Sequence, residues 1–128
     1  MSLRSFFTRR GLLRALLASL FCGTVPLALA QAPAWPDHPI KLISPWPAGG
    51  SNDTFSRLLA TRLTTSLGQP VVVENRPGAT GTLGVGQVAR APADGYTLVM
   101  GSSPTHATAP SIYPQLSYSP TRDFAPVT

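Results

Sequence analysis

A right-handed, parallel, three-layer α/β unit is what the order of apolar patterns along this chain predicts. Three runs of strand length, Ile40–Ser44, Val71–Glu74 and Tyr96–Met100, alternate with two stretches of helical periodicity. Each run ends in a turn rich in glycine or hydroxyl side chains. In a parallel β-α-β-α-β unit all the strand ends reach one rim, and ligands of such sheets lie beyond that rim.

The elements follow in order. Residues 31–39 are a proline-rich lead-in with Trp35 and Pro36, too irregular for a regular element. Ile40–Ser44 reads as a short buried strand. It runs into Pro45-Trp46-Pro47-Ala48-Gly49-Gly50, a turn that opens directly on an amphipathic helix from about Asp53 to Leu67. Phe55, Leu58, Leu59, Leu63 and Leu67 recur at helical spacing and are expected on its core face. Ser56, Arg57, Thr61, Arg62 and Thr65 are expected to face away. Ser51 or Asn52 caps the helix, Asp53 suits its first turn, and Gly68 with Pro70 ends it.

Val71-Val72-Val73-Glu74 reads as a strand buried on both faces, as in a parallel sheet. The turn Asn75–Gly81 leads to a shorter helix through Leu83, Val85, Val88 and Ala89, ended by Pro92. Pro92-Ala93-Asp94-Gly95 is a turn signal before the third strand. Gly101–Ala107 is rich in hydroxyls and suited to capping another helix. Beyond Pro110 the chain is studded with prolines, and Tyr113 and Tyr118 are the expected packing anchors.

The first thirty residues are a different material. Arg4, Arg9, Arg10 and Arg14 precede or open an apolar run that ends in Ala28-Leu29-Ala30, the pattern of a signal peptide cleaved after Ala30. The stretch from Ala15 to Ala30 is shorter than the ~20 residues a membrane span needs, and Pro26 interrupts it, which disfavours an uncleaved anchor. Thr8-Arg9-Arg10-Gly11-Leu12 resembles a twin-arginine export motif, although paired arginines also occur in ordinary leaders, so both routes stay open. Cys22, the only cysteine of the 128 residues, lies in this leader, and Phe21 before it is too large for a lipobox.

The net charge of +5 also belongs mostly to the leader. Residues 31–128 carry six Lys+Arg against five Asp+Glu, a net of +1, and the basic residues are scattered. Nucleic-acid binding is excluded on that arithmetic.

The turn before the first helix carries the chemistry. A helix N-terminus leaves backbone N–H groups without intrahelical partners, and the helix dipole adds partial positive charge. Gly49 and Gly50 lack a Cβ, so the loop can curl and a ligand can come close to the backbone. The expected occupant is a small anion, a carboxylate or a phosphate. Plainer readings stand beside this one. The two glycines also suit a simple tight turn, and His106 a cap or packing position. Asp53 and Arg57 make a helix-surface pair worth a few tenths of a kcal/mol. Trp46 either closes over a ligand or covers the loop.

Pro36-Asp37-His38-Pro39-Ile40-Lys41-Leu42-Ile43 and Pro45-Trp46-Pro47-Ala48-Gly49-Gly50, with Asp53 and Arg57, resemble the Bug family, the periplasmic solute receptors of tripartite tricarboxylate transporters. Gly68–Ala79, Asp94–Leu98, Ser103, Thr105-His106-Ala107, Pro110–Pro114 and Asp123–Val127 continue the pattern. Trp46 stands where the family more often has Phe, Thr80 where Gly is common, and Ser119 where Asp often precedes the proline.

The resemblance implies that residues 31–128 are the first α/β lobe of a two-domain periplasmic-binding-protein (Venus-flytrap) fold, in a chain that stops before the second lobe. It implies a periplasmic location and a small carboxylate solute gripped by Ala48, Gly49, Gly50, Ser51 and Asn52. Ser103, Thr105 and His106 would face that solute from the third rim loop, with Thr80 a weaker candidate. Membrane subunits of a tripartite tricarboxylate transporter are the implied partners, and no cofactor is expected.

An enzyme needs a reacting group with a partner. Residues 31–128 hold no cysteine and only two histidines, His38 and His106. Neither an acid nor an oxyanion arrangement accompanies Ser103 and His106, and no metal-ligand cluster has usable spacing. The Pro-Ala-Gly-Gly-Ser-Asn turn lacks the Lys-Ser/Thr ending of a P-loop and the spacing of a dinucleotide fold. A phosphate- or nucleotide-binding α/β enzyme fragment is the alternative from another class.

Overall fold

The computed structural model describes residues 34–127. The expected signal peptide, residues 1–30, lies outside the described residues. Three strands, β1 (Ile40–Ser44), β2 (Val71–Asn75) and β3 (Thr97–Val99), form one sheet in the order β2-β1-β3, with both neighbours parallel to β1. Ile40 pairs with Val71 and Leu42 with both Val73 and Leu98. This is the parallel α/β unit expected from the sequence. Its short third strand is extended by backbone bonds at either end, Lys41 N–H to the Tyr96 carbonyl and Met100 N–H to that of Ile43.

Helix α1 (Ser51–Leu67) packs over β1 and β2. The core on that side holds Ile40, Leu42, Val71 and Ala60, with Leu63, Leu67, Val73, Tyr96, Leu98 and Met100 against them. The helix face matches the one its leucines predict only in part: Leu63 and Leu67 pack against the core as expected, but the N-terminal half turns a different face to the sheet. Its buried residues are Asp53, Ser56 and Ala60, whereas Phe55, Leu58 and Leu59 are 62%, 58% and 38% exposed. Small side chains let the helix lie close to the sheet. Ser56, expected to face outward, is buried because its hydroxyl donates to the Asn52 carbonyl one turn back at 2.7 Å, so burying it leaves no polar atom unpaired. The helix begins two residues earlier than expected, with Gly50 as its N-cap and no side-chain cap. Gly68 ends it, donating its N–H to the Thr64 carbonyl.

Strand β2 is an edge. Val72, expected to be covered, is 47% exposed, because its side chain alternates to the face away from α1, beside its exposed register partner Lys41. A short helical turn, Ala79–Gly81, then leads into helix α2 (Thr82–Val88), which contacts β1 and β3 and buries Val85 completely. Beyond β3 a π-helical turn, Pro104–Thr108, continues into helix α3 (Ala109–Ile112). Tyr118 is buried as expected and donates its hydroxyl to the Thr105 carbonyl at 2.5 Å.

The lead-in is tied down at the rim opposite the turns. Asp37 N–H donates to the Tyr96 hydroxyl, which donates to Asp37 Oδ1, and the His38 ring stacks on Tyr96 with centroids 3.6 Å apart. The Tyr96 hydroxyl, followed by His38, holds the Asp37 carboxyl below its usual range. Among the described residues no helix is long and apolar enough to cross a membrane.

Candidate functional site

Because all three strands run parallel, the turns after them meet at one rim, and hydrogen bonds join them. The Asn75 side chain at the end of β2 donates to the Trp46 carbonyl at 3.1 Å, and Arg76 N–H donates to the Ser44 carbonyl. Trp46 Nε1 reaches the Ser102 hydroxyl at 3.4 Å, a long bond that links the first and third turns. Ser44 and Asn75 are register partners on the α1 face of the sheet, so two polar side chains top an otherwise apolar wall. Ser44 is fully buried and donates to Asn52 Oδ1 at 2.9 Å.

Between the first and third turns lies an open cleft of about 620 Å³. Gly50, Ser51 and Asn52 form one side with Trp46, Pro47 and Phe55. Met100, Gly101, Ser102 and Pro104 form the other. No charged side chain is among these lining residues. The first helical bond of α1 is Thr54 N–H to the Gly50 carbonyl, so the N–H groups of Gly50 through Asp53 have no intrahelical acceptor. The cleft therefore offers backbone donors and helix-dipole charge at one end and an apolar wall along its length. Such a surface can hold an anionic group attached to a carbon skeleton.

Of the residues the sequence singled out, Gly50, Ser51 and Asn52 line this cleft directly. Ala48 and Gly49 are exposed in the same turn, with Gly49 at φ +84°, and the Gly49 N–H is already bound to Asp53 Oδ2 at 2.8 Å. Ser103 is exposed between two lining residues. Thr105 is fully buried, and its hydroxyl joins Ser102 and His106 Nδ1. The His106 ring packs edge-on to Phe124 with centroids 5.3 Å apart, beneath the Gly101 backbone. Thr80 sits in the left-handed turn before α2, where its hydroxyl meets that of Tyr113 at 3.0 Å.

Sequence reasoning placed Ser102 only within the third rim loop, passed over Asn75 and Met100, and assigned Phe55 to the core. For Asn75 a signal existed: a polar residue closing an apolar strand is out of place unless the strand end meets something polar.

Asp53 is not the surface partner of Arg57 that the spacing suggests. Its carboxylate is buried, 4% exposed, and accepts from Gly49 N–H, from Asn75 Nδ2 at 2.9 Å and from Arg57 through both Nε and Nη2 at 3.0 Å. The Arg57 guanidinium first, then the Gly49 amide and the Asn75 side chain, hold its pKa down at about 2. Among the described residues no group of three or more His, Cys, Asp or Glu could hold a metal ion.

Residues 55–128 match the profile of the family described as "Tripartite tricarboxylate transporter family receptor". The chain belongs to that family. As a member it is 43% identical over 111 residues to protein BugT of Bordetella pertussis, an alignment covering 85% of this chain and 34% of BugT. Among solved structures it is similar to the periplasmic binding protein BugD (TM-score 0.66, 40% identity), covering 73% of this chain and 31% of that one. It is also similar to MatC of Rhodopseudomonas palustris with bound malate (TM-score 0.70, 41% identity), covering 73% and 32%. This receptor-family chain thus spans about a third of the length of the relatives it matches.

Proposed function

We propose that residues 31–128 form one lobe of an exported, periplasmic receptor that captures a small carboxylate for tripartite tricarboxylate uptake, with residues 1–30 as its signal peptide. The observation that carries this reading is the uncapped N-terminus of α1 opening into a cleft free of charged side chains. The solute's carboxylate takes the N–H groups of Gly50, Ser51 and Asn52. Ala48 and Gly49 shape the turn, and Ser103, Thr105, His106 and Thr80 support the loops around the solute. Charge-assisted bonds from backbone amides are short and strong, so no arginine has to enter the cleft. The bound malate of MatC, a similar structure at 41% identity, fits this chemistry. The chain binds rather than transforms its solute, and it delivers the solute to the membrane subunits of a transporter.

Calorimetric titration of the complete receptor with malate, succinate and adipate, against inorganic phosphate and AMP, tests the reading. Saturable binding of at least one dicarboxylate without binding of phosphate or AMP is the expected result. Binding confined to phosphate or AMP, or turnover of any of them, would overturn it in favour of an α/β enzyme.

A further inference from the structure

We propose that Asp53 is a positioning residue for solute capture: its carboxylate holds the Gly49 N–H, closing the turn so that the next three amides point into the cleft. This rests on the carboxylate reading above and adds a residue that does not line the cleft.

Three features of the geometry carry it. First, Asp53 stands at the third helical position but reaches past the N-cap Gly50 to the residue before it. An acid at this position commonly bonds the N-cap amide itself. Here that amide is left unspent while the one before it is tied down. Second, Gly49 is at φ +84°, a conformation that glycine tolerates and that also needs to be held in place. Third, Asn75 Nδ2 donates both to Asp53 Oδ1 and to the Trp46 carbonyl, so one side chain from β2 fixes the start of the turn and the residue that fixes its end.

Both carboxylate oxygens are thereby saturated. Oδ2 takes Gly49 N–H and Arg57 Nε, and Oδ1 takes Asn75 Nδ2 and Arg57 Nη2. The Arg57 guanidinium also neutralises a negative charge that would otherwise repel an anionic solute a few residues away.

The charge gives the test its sign. If Asp53 acted on the solute only as a nearby negative charge, removing it would tighten carboxylate binding. If it positions the amides, removing it weakens binding. Titrating the complete receptor with malate, Asp53→Ala is expected to lose roughly tenfold in affinity, the value of one well-made hydrogen bond to a charged group. Asp53→Asn keeps an acceptor for Gly49 and is expected to fall between Asp53→Ala and wild type. It also serves as the readout if Asp53→Ala does not fold. Unchanged or tighter malate binding in a folded variant overturns the proposal.

Amide hydrogen exchange without solute supplies the second arm. Exchange at Gly49 is expected to accelerate at least about tenfold in Asp53→Ala, and by less in Asp53→Asn, relative to amides in the middle of α1. Equal exchange at Gly49 in wild type and variant also overturns the proposal. If wild-type receptor binds no malate, the carboxylate reading loses its support while the exchange arm still decides whether Asp53 holds the turn.

Discussion

Asp53 concentrates three tasks in one carboxylate: it ties down the turn, joins β2 to α1 through Asn75, and cancels its charge against Arg57. Its depressed pKa has a consequence for stability. With a folded value of about 2 against an ordinary 3.8, the unfolded chain binds a proton in that interval that the native chain does not. The stability Asp53 contributes is therefore fully present above about pH 5 and is lost as the pH falls from about 4 toward 2. Urea unfolding across that range should show the gap between wild type and Asp53→Asn closing in acid. A gap that stays constant down to about pH 2 would remove the linkage. Asp37, also held below its usual range, titrates in the same direction but is common to both proteins and drops out of the difference. Tyr118 offers a second test at this scale. Its buried hydroxyl caps the Thr105 carbonyl, so Tyr118→Phe should cost about 1–3 kcal/mol by leaving that acceptor unpaired, measurable as a lowered urea midpoint at unchanged m-value.

The strands could be read from the sequence nearly to the residue, because β1 is fixed by the local run of Ile40, Leu42 and Ile43 and closed by Pro45. The burial pattern of α1 could be read only at Leu63 and Leu67, because apolar periodicity says which face is greasy and not which face meets the sheet along the rest of the helix. Ala60 and Ser56 win that place by size: they bring the helix axis close to β1, a tertiary effect with no local signature. The two faces should therefore respond in opposite order to their hydrophobicity. Leu58→Ser, on the exposed flank, should change stability by less than about 0.5 kcal/mol. Ala60→Leu, which adds apolar surface, should cost about 1–3 kcal/mol by overpacking. Helix α2 poses the same question at Gly84. Alanine is favoured over glycine in a helix by ~1 kcal/mol. A Cβ at Gly84, however, would stand 2.6 Å from the Arg76 carbonyl oxygen and 3.2 Å from Pro45 Cβ. Backbone cannot swing aside as a side chain can, so the clash should win and Gly84→Ala should lower the unfolding midpoint. A raised midpoint would show that α2 shifts freely against Arg76 and Pro45.

At the scale of the whole molecule the amide-bearing turn could be read from sequence because it depends on a contiguous string, Gly49-Gly50-Ser51-Asn52, beside a helix start. The opposite wall could be read only as a loop, because the parallel order brings the turn after the third strand to the same rim, while Met100 reaches the cleft only once β3 is laid beside β1. The cleft also bears on affinity. It is open to solvent, and the chain carrying it spans about a third of the length of BugT. A solute resting there pays the full loss of translational and rotational freedom, ~4 kcal/mol or more, whether one lobe or two enclose it. Halving the contacts therefore more than halves the net binding free energy. A receptor binding malate with Kd near ~1 μM has ~8 kcal/mol to divide, so one lobe alone should fall to ~1 mM or weaker. Titrating malate into residues 31–128 and into the complete receptor under one buffer checks this. Micromolar binding by residues 31–128 alone would mean that the amides of α1 and the apolar wall already supply the whole of the affinity.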